Sequence, residues 1–465
     1  MISSPRQIFP HRFYPTRSRW SRVASPFSEI AAADNLTRWG VRICRKLGAT
    51  ALALGPASAL IAALVTCSAS ARAGQHGQGD SDKSQSRYGR NQRGLPAEGG
   101  AKSQSTLALP FKRSWAYLTS DAAGVPASVD SGRVYLSLSK GEVICLDLRS
   151  GSLLWSTDLG GRINDSIAVS ARAIYLLTQK PSADQSQAGV TVDSLNNYEG
   201  SGSITALDPV TGLALWAKDY PRPFTSPPLV DKDRLYVGAA DGAFYSISTG
   251  NGDVIWKVQT GDIIRGAARL SENAIFFGSD DGALREIDLS NGAEIWKYQT
   301  TGKIVSRPVL EENHLYFGSG DAVVYCVDLE RKKLKWKYRT GAAIEAPLVL
   351  TGNRLLVGSL DNFIYALSKT SGDHLWKRRM ENRVTYCPVV DGDTAMISSF
   401  RGDHVAMFLS GDGRRVNYYQ LSKGEALVSD PVFAEGNLVL ETERGLVVAV
   451  AQHSEGSKEA IKKSP

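Results

Sequence analysis

The sequence predicts an all-β protein: one eight-bladed β-propeller of four-stranded repeats, closed by pairing of its N-terminal and C-terminal strands. Three observations predict this fold. Tryptophan recurs at a near-constant interval of 40 residues, glycine and aspartate recur in fixed register with it, and no segment shows helical periodicity. A repeat of this kind cannot bury both of its faces alone, so neighbouring repeats must stack on one another.

The tryptophans set the register of the repeat. After residue 73, successive tryptophans are 40, 61, 40, 40, 40 and 40 residues apart, at Trp115, Trp155, Trp216, Trp256, Trp296, Trp336 and Trp376. We expect each of them on the outermost strand of a blade, packed against the neighbouring blade, where an indole buries about 200 Å². One further step reaches Val416, where we expect Tyr418 or Tyr419 to replace the tryptophan.

Turn-forming residues keep the same register. Glycine stands four residues before most of the tryptophans, at Gly151, Gly212, Gly252, Gly292 and Gly372, with Lys332 as the exception. A turn between the last two strands of a blade needs a positive φ at this position. Aspartate stands eight residues before the tryptophan, at Asp147, Asp208, Asp288 and Asp328. Such a short side chain accepts hydrogen bonds from turn amides, so we interpret these aspartates as structural.

Each unit is expected to contain four short strands, A to D, and LYFGSGDAVVYCVDLERKKLKWKYRTG around Trp336 shows strands B, C and D. The first tryptophan strand, FKRSWAYL, has no partner strands before it. The last three strands, ALVSDPVF, NLVLE and LVVAV, have no fourth. Pairing the two ends completes an eighth blade and removes both sheet edges. The expected propeller spans residues 105–451.

One interval between tryptophans is longer than the others. It measures 61 residues, and its excess, residues 180–202, is polar and rich in Gly and Ser. The excess falls between strands B and C of the second blade, on the rim that also carries the turns from strand D to the next strand A. We expect a mobile flap there, for which a neutral surface insertion and a role in binding are both open.

The residues before the propeller are typical of an export signal followed by a tether. Within residues 1–73 a basic stretch precedes an apolar run that ends near Ala71-Arg72-Ala73, which fits a signal-peptidase site. Two alternatives are lipidation at Cys67, in the sequence Leu-Val-Thr-Cys, and an uncleaved anchor. Residues 74–104 are rich in Gly, Ser and Gln and predict a disordered tether, and residues 452–465 predict a disordered tail.

The charge of the chain does not favour a nucleic-acid partner. The formal net charge is +7, and residues 1–73 hold ten Lys or Arg against two acids, which leaves the remainder near −1. A body without excess positive charge has no electrostatic basis for binding phosphate backbones. We therefore expect a monomer with a protein partner, no nucleic acid, and membrane association only through the N-terminal segment or that partner.

No pattern of nucleophiles or metal ligands indicates catalysis. The cysteines after residue 73, Cys145, Cys326 and Cys387, are odd in number and form no CxxC or Cys/His cluster. Cys145 and Cys326 fall four blades apart and cannot pair, and Cys387 is expected beside the central channel. The histidines are scattered through separate blades. We therefore predict no cofactor, no metal and no catalytic residue.

The repeats resemble the quinoprotein-type, PQQ-like propeller family over residues 105–450. With its export signal and tether, the chain is similar to the BamB-type outer-membrane assembly factors. The resemblance implies a non-enzymatic scaffold in the periplasm or at the periplasmic face of the outer membrane, where those proteins bind the β-barrel insertase. The alternatives are a PQQ-dependent dehydrogenase and a ligand- or glycan-binding propeller. The vicinal cysteines of the quinoprotein alcohol dehydrogenases are absent here.

The same resemblance indicates a partner-binding loop. In BamB-type proteins the fourth tryptophan-type position is followed by an apolar-Arg-Gly loop that contributes to insertase binding, which corresponds here to Ile264, Arg265 and Gly266. An exposed apolar residue beside an arginine is what an interface anchor should look like. Where those proteins carry an acidic pair after the next tryptophan, this chain has Lys303 and Arg307. The alternative is a structural Arg265 at the channel mouth, paired with an acid such as Glu345.

Overall fold

A computed structural model describes residues 111–121, 125–163, 167–180 and 200–452. These residues form eight antiparallel sheets, the blades, whose strands run in order A to D. In the described part of the chain no helix is long and apolar enough to cross a membrane. The predicted all-β, eight-bladed propeller is therefore confirmed.

The strands of the first four blades follow one another along the chain. They are, in blade 1, β2 (Ser128–Asp130), β3 (Arg133–Ser137), β4 (Glu142–Asp147) and β5 (Leu153–Asp158); in blade 2, β6 (Arg162–Ile163), β7 (Ala168–Val169), β8 (Ile174–Lys180), β9 (Ser201–Leu207) and β10 (Ala214–Tyr220); in blade 3, β11 (Leu229–Asp231), β12 (Arg234–Gly238), β13 (Ala243–Ser248) and β14 (Val254–Gln259); and in blade 4, β15 (Arg269–Leu270), β16 (Ala274–Gly278), β17 (Ala283–Asp288) and β18 (Glu294–Gln299). In blade 2, β6 and β7 both pair with β8.

The last blade contains both ends of the described chain. The remaining strands are, in blade 5, β19 (Val309–Glu311), β20 (His314–Gly318), β21 (Val323–Asp328) and β22 (Lys333–Arg339); in blade 6, β23 (Val349–Thr351), β24 (Arg354–Gly358), β25 (Phe363–Ser368) and β26 (His374–Arg379); in blade 7, β27 (Val389–Asp391), β28 (Thr394–Ser398), β29 (His404–Leu409) and β30 (Arg415–Gln420); and in blade 8, β31 (Val432–Ala434), β32 (Asn437–Glu441), β33 (Leu446–Gln452) and β1 (Phe111–Leu118). Strand β1 pairs antiparallel with β33 from Phe111↔Gln452 to Leu118↔Leu446. The predicted closure by the terminal strands is thereby confirmed.

The core lies between the blades, because the middle strands of each sheet are apolar on both faces. Strands B and C are almost wholly buried, as in HLYFG of β20 and VVYCVD of β21. Strand D alternates between exposed and covered residues, as in EIWKYQ of β18. This pattern fits a sheet whose outer strand borders solvent while its two faces pack against neighbouring blades.

Six of the seven tryptophans of the propeller contact the next blade in the same way. The indole Nε1 of Trp256 donates a hydrogen bond to the carbonyl of Leu289 at 3.0 Å, and that of Trp376 to Ser410 at 2.9 Å. Each indole also covers the glycine of the next C–D turn, so a β-carbon at Gly292 or Gly413 would come within 2.9 or 2.6 Å of the ring. These glycines have positive φ as well, which gives two independent reasons for glycine there.

Lys332 replaces this glycine in blade 5 and covers its tryptophan differently. The Lys332 backbone keeps a positive φ of 52°. Its ammonium lies 5.6 Å from the centroid of the Trp296 ring and pairs with the carboxylate of Glu286, whose side chain is almost buried. A cation over the ring face is favourable. The contact therefore supplies a packing reason for the one exception in the glycine column.

The tryptophan-type position of blade 7 is Asn417, so the expectation of Tyr418 or Tyr419 is wrong. Asn417 pairs with Met407 just as Trp376 pairs with Ala366. The shift arises because the connection from β28 to β29 is one residue longer than its counterpart in blade 6. In blade 8, strands C and D are β33 and β1, which no C–D turn connects. A tryptophan at position 417 of blade 7 would therefore lack the glycine and the carbonyl that the other indoles contact on the next blade.

Several predicted segments lie outside the described residues. They are the export signal with Cys67 in residues 1–73, the tether at 74–104, residues 105–110, most of the insertion at 181–199, and the tail from 453 onward. The ends of the insertion extend β8 to Lys180 and begin β9 at Ser201, so it does connect strands B and C of blade 2.

Candidate functional site

One rim of the propeller is formed by two sets of turns that hydrogen-bond to each other. In blade 4 the amide of Asp280, in the B–C turn, donates to the carbonyl of Ile263, in the D–A turn, at 2.9 Å. Blades 5 and 7 repeat the bond from Gly320 to Lys303 and from Phe400 to Arg383, both at 2.8 Å. These bonds fix the rim, so that side chains on the D–A turns project from a rigid support.

The Ile264 side chain is fully buried, and the expectation of an exposed apolar anchor is wrong for this residue. It packs in a core cluster with Phe244, Trp256 and Phe277. A β-carbon at Gly238 would overlap it, which explains the glycine at the end of strand B. The equivalent residues one and two repeats later, Ile304 and Ile344, are buried against Gly278 and Gly318 in the same way. Ile264 therefore belongs to the repeat itself.

Gly266 allows a close approach of two backbones. A β-carbon there would lie 2.7 Å from the carbonyl oxygen of Val305 in blade 5. The position is therefore restricted to glycine by inter-blade packing. Of the three loop residues named from the sequence, only Arg265 presents a functional group at the rim.

Arg265 lies at the mouth of the central channel and forms an ion pair within its own blade. Its guanidinium is 3.1 Å from a carboxylate oxygen of Asp280, and its side chain keeps 33% of its exposure. Burial raises the pKa of Asp280, while the charges of Arg265 and Lys303 act to lower it. Glu345, the acid expected for Arg265, is paired at 3.1 Å with Lys303. The ion pair found for Arg265 is thus with Asp280, because the B–C turn bonds directly beside it.

The central channel has a volume of about 1360 Å³ and is lined by the A strands. Arg307 lies on its wall, as do Cys387 and Asp430. The amide of Cys387 donates to Asp430 Oδ1 at 3.2 Å, and burial raises the pKa of the Cys387 thiol to about 12. The three cysteines of the described part are free, and this one is a poor nucleophile because it stays protonated.

A buried carboxyl group stands where other blades have glycine. Glu441 ends strand B of blade 8, in the position of Gly318 and Gly358, and accepts a hydrogen bond from Ser429 Oγ at 2.7 Å. Burial raises its pKa to about 8, and the nearby charge of Asp430 adds to the shift. Burial likewise raises the pKa of Asp430 to about 6. The last blade therefore carries two carboxyl groups that favour protonation.

Stability should fall as Glu441 ionises. Because its pKa in the folded chain is above that of a free glutamate, its contribution is fully present below about pH 4.5 and is lost as pH rises through about 8. We expect the free energy of unfolding of the parent to fall by on the order of 3 kcal/mol between pH 5 and pH 8.5 because of this group. In Glu441→Gln this part of the pH dependence should be absent. Urea midpoints of both proteins across this range test it. Parallel pH profiles would show that Glu441 does not titrate in the fold.

Glu381, Asp403 and His404 bring potential metal ligands together on the rim of blade 7. Their ligand atoms lie within 4.8 Å of one another, and Glu381 and Asp403 are exposed. The His404 Nδ1 atom is hydrogen-bonded to Asp403 Oδ1 at 2.9 Å, and this contact lowers the pKa of the Asp403 carboxyl. The hydrogen-bonded histidine–carboxylate pair accounts for the arrangement, and we assign no ion to it.

The sequence analysis did not identify three charged residues of the interior, Asp430, Glu441 and Arg269. Of these, Asp430 and Arg269 line the channel. Two of them, Glu441 and Arg269, are exceptions to a column of the repeat. Glu441 replaces glycine, and Arg269 stands where the three following blades carry Val309, Val349 and Val389. A charged residue in an otherwise apolar or glycine column is a signal that the sequence does contain, once strands rather than tryptophans define the register.

Comparisons with known proteins agree with this architecture. No curated protein matches the sequence. BamB from Moraxella catarrhalis is similar in structure, with a TM-score of 0.61 and 16% identity over 74% of this chain and 100% of that one. A europium-containing methanol dehydrogenase is similar with a TM-score of 0.61 and 11% identity, over 76% and 95%. The computationally designed Ika8 protein has a TM-score of 0.59 and 14% identity, over 72% and 98%.

At these identities the solved structures show the fold alone. The sequence comparison goes further. The pattern of the PQQ-like family described as outer membrane protein assembly factor BamB matches residues 96–196, 178–308 and 280–464, which together span the propeller. The chain therefore belongs to the PQQ-like family of outer membrane protein assembly factor BamB.

Proposed function

We propose that this protein is a non-enzymatic, exported scaffold that binds a protein partner in the bacterial cell envelope, in the assembly of outer-membrane β-barrel proteins. The observation that carries the proposal is membership of the BamB family across the whole propeller. The rim around Arg265 supplies the recognition surface. The N-terminal segment would deliver the propeller to the periplasm or to the periplasmic face of the outer membrane, through cleavage after Ala73, lipidation at Cys67 or an uncleaved anchor.

The geometry of the rim supports recognition of an acidic partner. Arg265 and Lys303 come from adjacent blades and keep 33% and 40% of their side-chain exposure although each is paired with an acid. Asp280 is largely buried, whereas the Arg265 side chain reaches solvent and could contact an acidic partner while it stays paired with Asp280. An arginine held on a rigid backbone is a frequent energetic centre of protein interfaces.

Arg265→Glu should abolish most partner capture from envelope extracts. An interface arginine is commonly worth about 2 kcal/mol, which is roughly thirtyfold in affinity. We expect cross-linked or affinity-captured partner to fall accordingly, and Arg265→Gln, which places no second acid beside Asp280, should lower capture with the melting temperature changed by little. Arg414→Glu is the matched control, since Arg414 is an exposed arginine of a C–D turn on the opposite rim. Full recovery with Arg265→Glu would refute the assignment of this loop.

A second variant separates recognition from support of the fold. Asp280→Asn removes the acid of the ion pair but leaves the Arg265 guanidinium at the rim. Under our proposal it keeps partner capture while Arg265→Glu loses it. If both variants lose capture together with thermal stability, Arg265 acts by holding the B–C turn instead.

A further inference from the structure

The central channel contains an arginine that the repeat does not require. Arg269 begins β15 and lines the channel, where the equivalent residues of seven blades are uncharged: Ser128, Ala168, Leu229, Val309, Val349, Val389 and Val432. A guanidinium in this column adds nothing to blade stacking that a valine does not supply. Its presence therefore needs an explanation outside the fold.

The surroundings of Arg269 do not neutralise its charge. Its Nε atom is buried and has no hydrogen-bond partner among the residues that the structure describes. Two influences lower the pKa of Arg269: desolvation is the larger, and the positive charge of Arg307 is the second. Desolvating a guanidinium beside another one is unfavourable unless an anion compensates.

Arg307 already has an acid within its electrostatic range, and Arg269 does not share it. The charge of Arg307 acts to lower the pKa of Asp430, which also lines the channel. The charge of Asp430 does not affect the pKa of Arg269 in the same way. No acidic side chain is among the charges that act on Arg269, so its positive charge is not compensated in the way that of Arg307 is.

Apart from Asp430 and the Glu311–Lys369 ion pair, the lining near the two arginines is largely apolar. Pro227, Ala267 and Val305 line the channel beside them, and Pro347 and Val349 continue the surface. The volume of about 1360 Å³ is ample for a small molecule. Largely apolar walls with two guanidiniums within electrostatic range of each other suit a ligand that has one anionic end and an apolar body. A carboxylate fits best, because guanidinium groups bind it through paired, charge-assisted hydrogen bonds.

We propose that the channel binds a small organic carboxylate, whose charged end meets Arg269 and Arg307 and whose apolar part packs on the proline and valine wall. The site is separate from the rim contact of Arg265 with a protein partner. Binding to it would occur whether or not the proposed partner function is correct.

Three probes of similar size or charge test the proposal on the purified protein by isothermal titration calorimetry. Benzoate has both the carboxylate and the apolar body, benzyl alcohol has only the body, and inorganic phosphate has only the charge. We expect measurable binding of benzoate and at least about tenfold weaker binding of the other two. Equal binding of benzyl alcohol, or binding of phosphate alone, would overturn the proposal of an organic carboxylate.

Arg269→Gln should weaken benzoate binding about tenfold, the loss expected for one charge-assisted contact. The ligand-free variant should melt at the same temperature as the parent or higher, because the like-charge contact with Arg307 is removed. Arg414→Gln is the matched control and should change neither quantity. Unchanged benzoate affinity in Arg269→Gln, or a lower melting temperature of the free variant, would contradict the role assigned to this arginine.

Discussion

Removing strand β1, residues 111–118, should leave a protein that does not fold cooperatively. Strand β1 supplies the outer strand of blade 8 and pairs with β33 along its whole length. Its loss exposes the edge of β33 and uncovers the cluster in which Trp115 packs with Leu136, Ile144 and Leu148. An open apolar edge promotes aggregation. We expect loss of the cooperative thermal transition and early elution on size exclusion.

A peptide that carries β1 provides the control for this experiment. Supplied in trans, it should bind the truncated protein by strand addition and restore a cooperative transition. The same peptide with alanine in place of Trp115 should restore much less, since the indole is buried and donates to the Leu148 carbonyl at 2.7 Å. A truncated protein that melts like the parent without the peptide would refute the closure.

Trp376→Ala should lower the free energy of unfolding by about 3–5 kcal/mol, the range for deleting a buried aromatic side chain. Trp376 is 5% exposed, covers Gly413 and packs with Ile364 and Phe408. The substitution leaves a cavity between blades 6 and 7 and an unpaired carbonyl at Ser410. Urea denaturation followed by circular dichroism measures the difference.

Two further variants serve as comparisons for Trp376→Ala. Trp376→Phe keeps most of the ring and loses the Nε1 hydrogen bond, so its cost should be clearly smaller than that of alanine. Tyr418→Ala alters an exposed aromatic on the neighbouring D strand and should cost little. If Trp376→Ala unfolds at the urea concentration of the parent, the tryptophan column does not hold the blades together.

The fold was predictable because its physical cause recurs in most blades. An indole on one blade packs on a turn residue with positive φ on the next, a glycine in six of seven cases, and this pair repeats at an interval that the sequence displays. The tryptophan-type position of blade 7 was predicted wrongly because its B–C turn is one residue longer, which moves that position to Asn417. The missing tryptophan itself has a topological cause, since blade 8 has no C–D turn for an indole to cover.

The candidate site was only partly predictable, because burial depends on the neighbouring blade. Ile264 and Arg265 are adjacent in the sequence, yet one is enclosed between blades and the other reaches the rim. The acid that pairs with Arg265 stands 15 residues later in another turn, at Asp280. Such a pairing follows from hydrogen bonds between two sets of turns, which no spacing along the chain displays.

We propose that Arg265 recognises an envelope protein partner and does not merely hold the rim. The most direct test is a charge swap, Arg265→Asp with Asp280→Arg, compared with Arg265→Asp alone by thermal melting and by partner capture from envelope extracts. The swap re-forms the ion pair but moves the guanidinium to the B–C turn. We predict that it restores any lost thermal stability while partner capture stays at least about tenfold below the parent. Recovery of capture together with stability would contradict the claim.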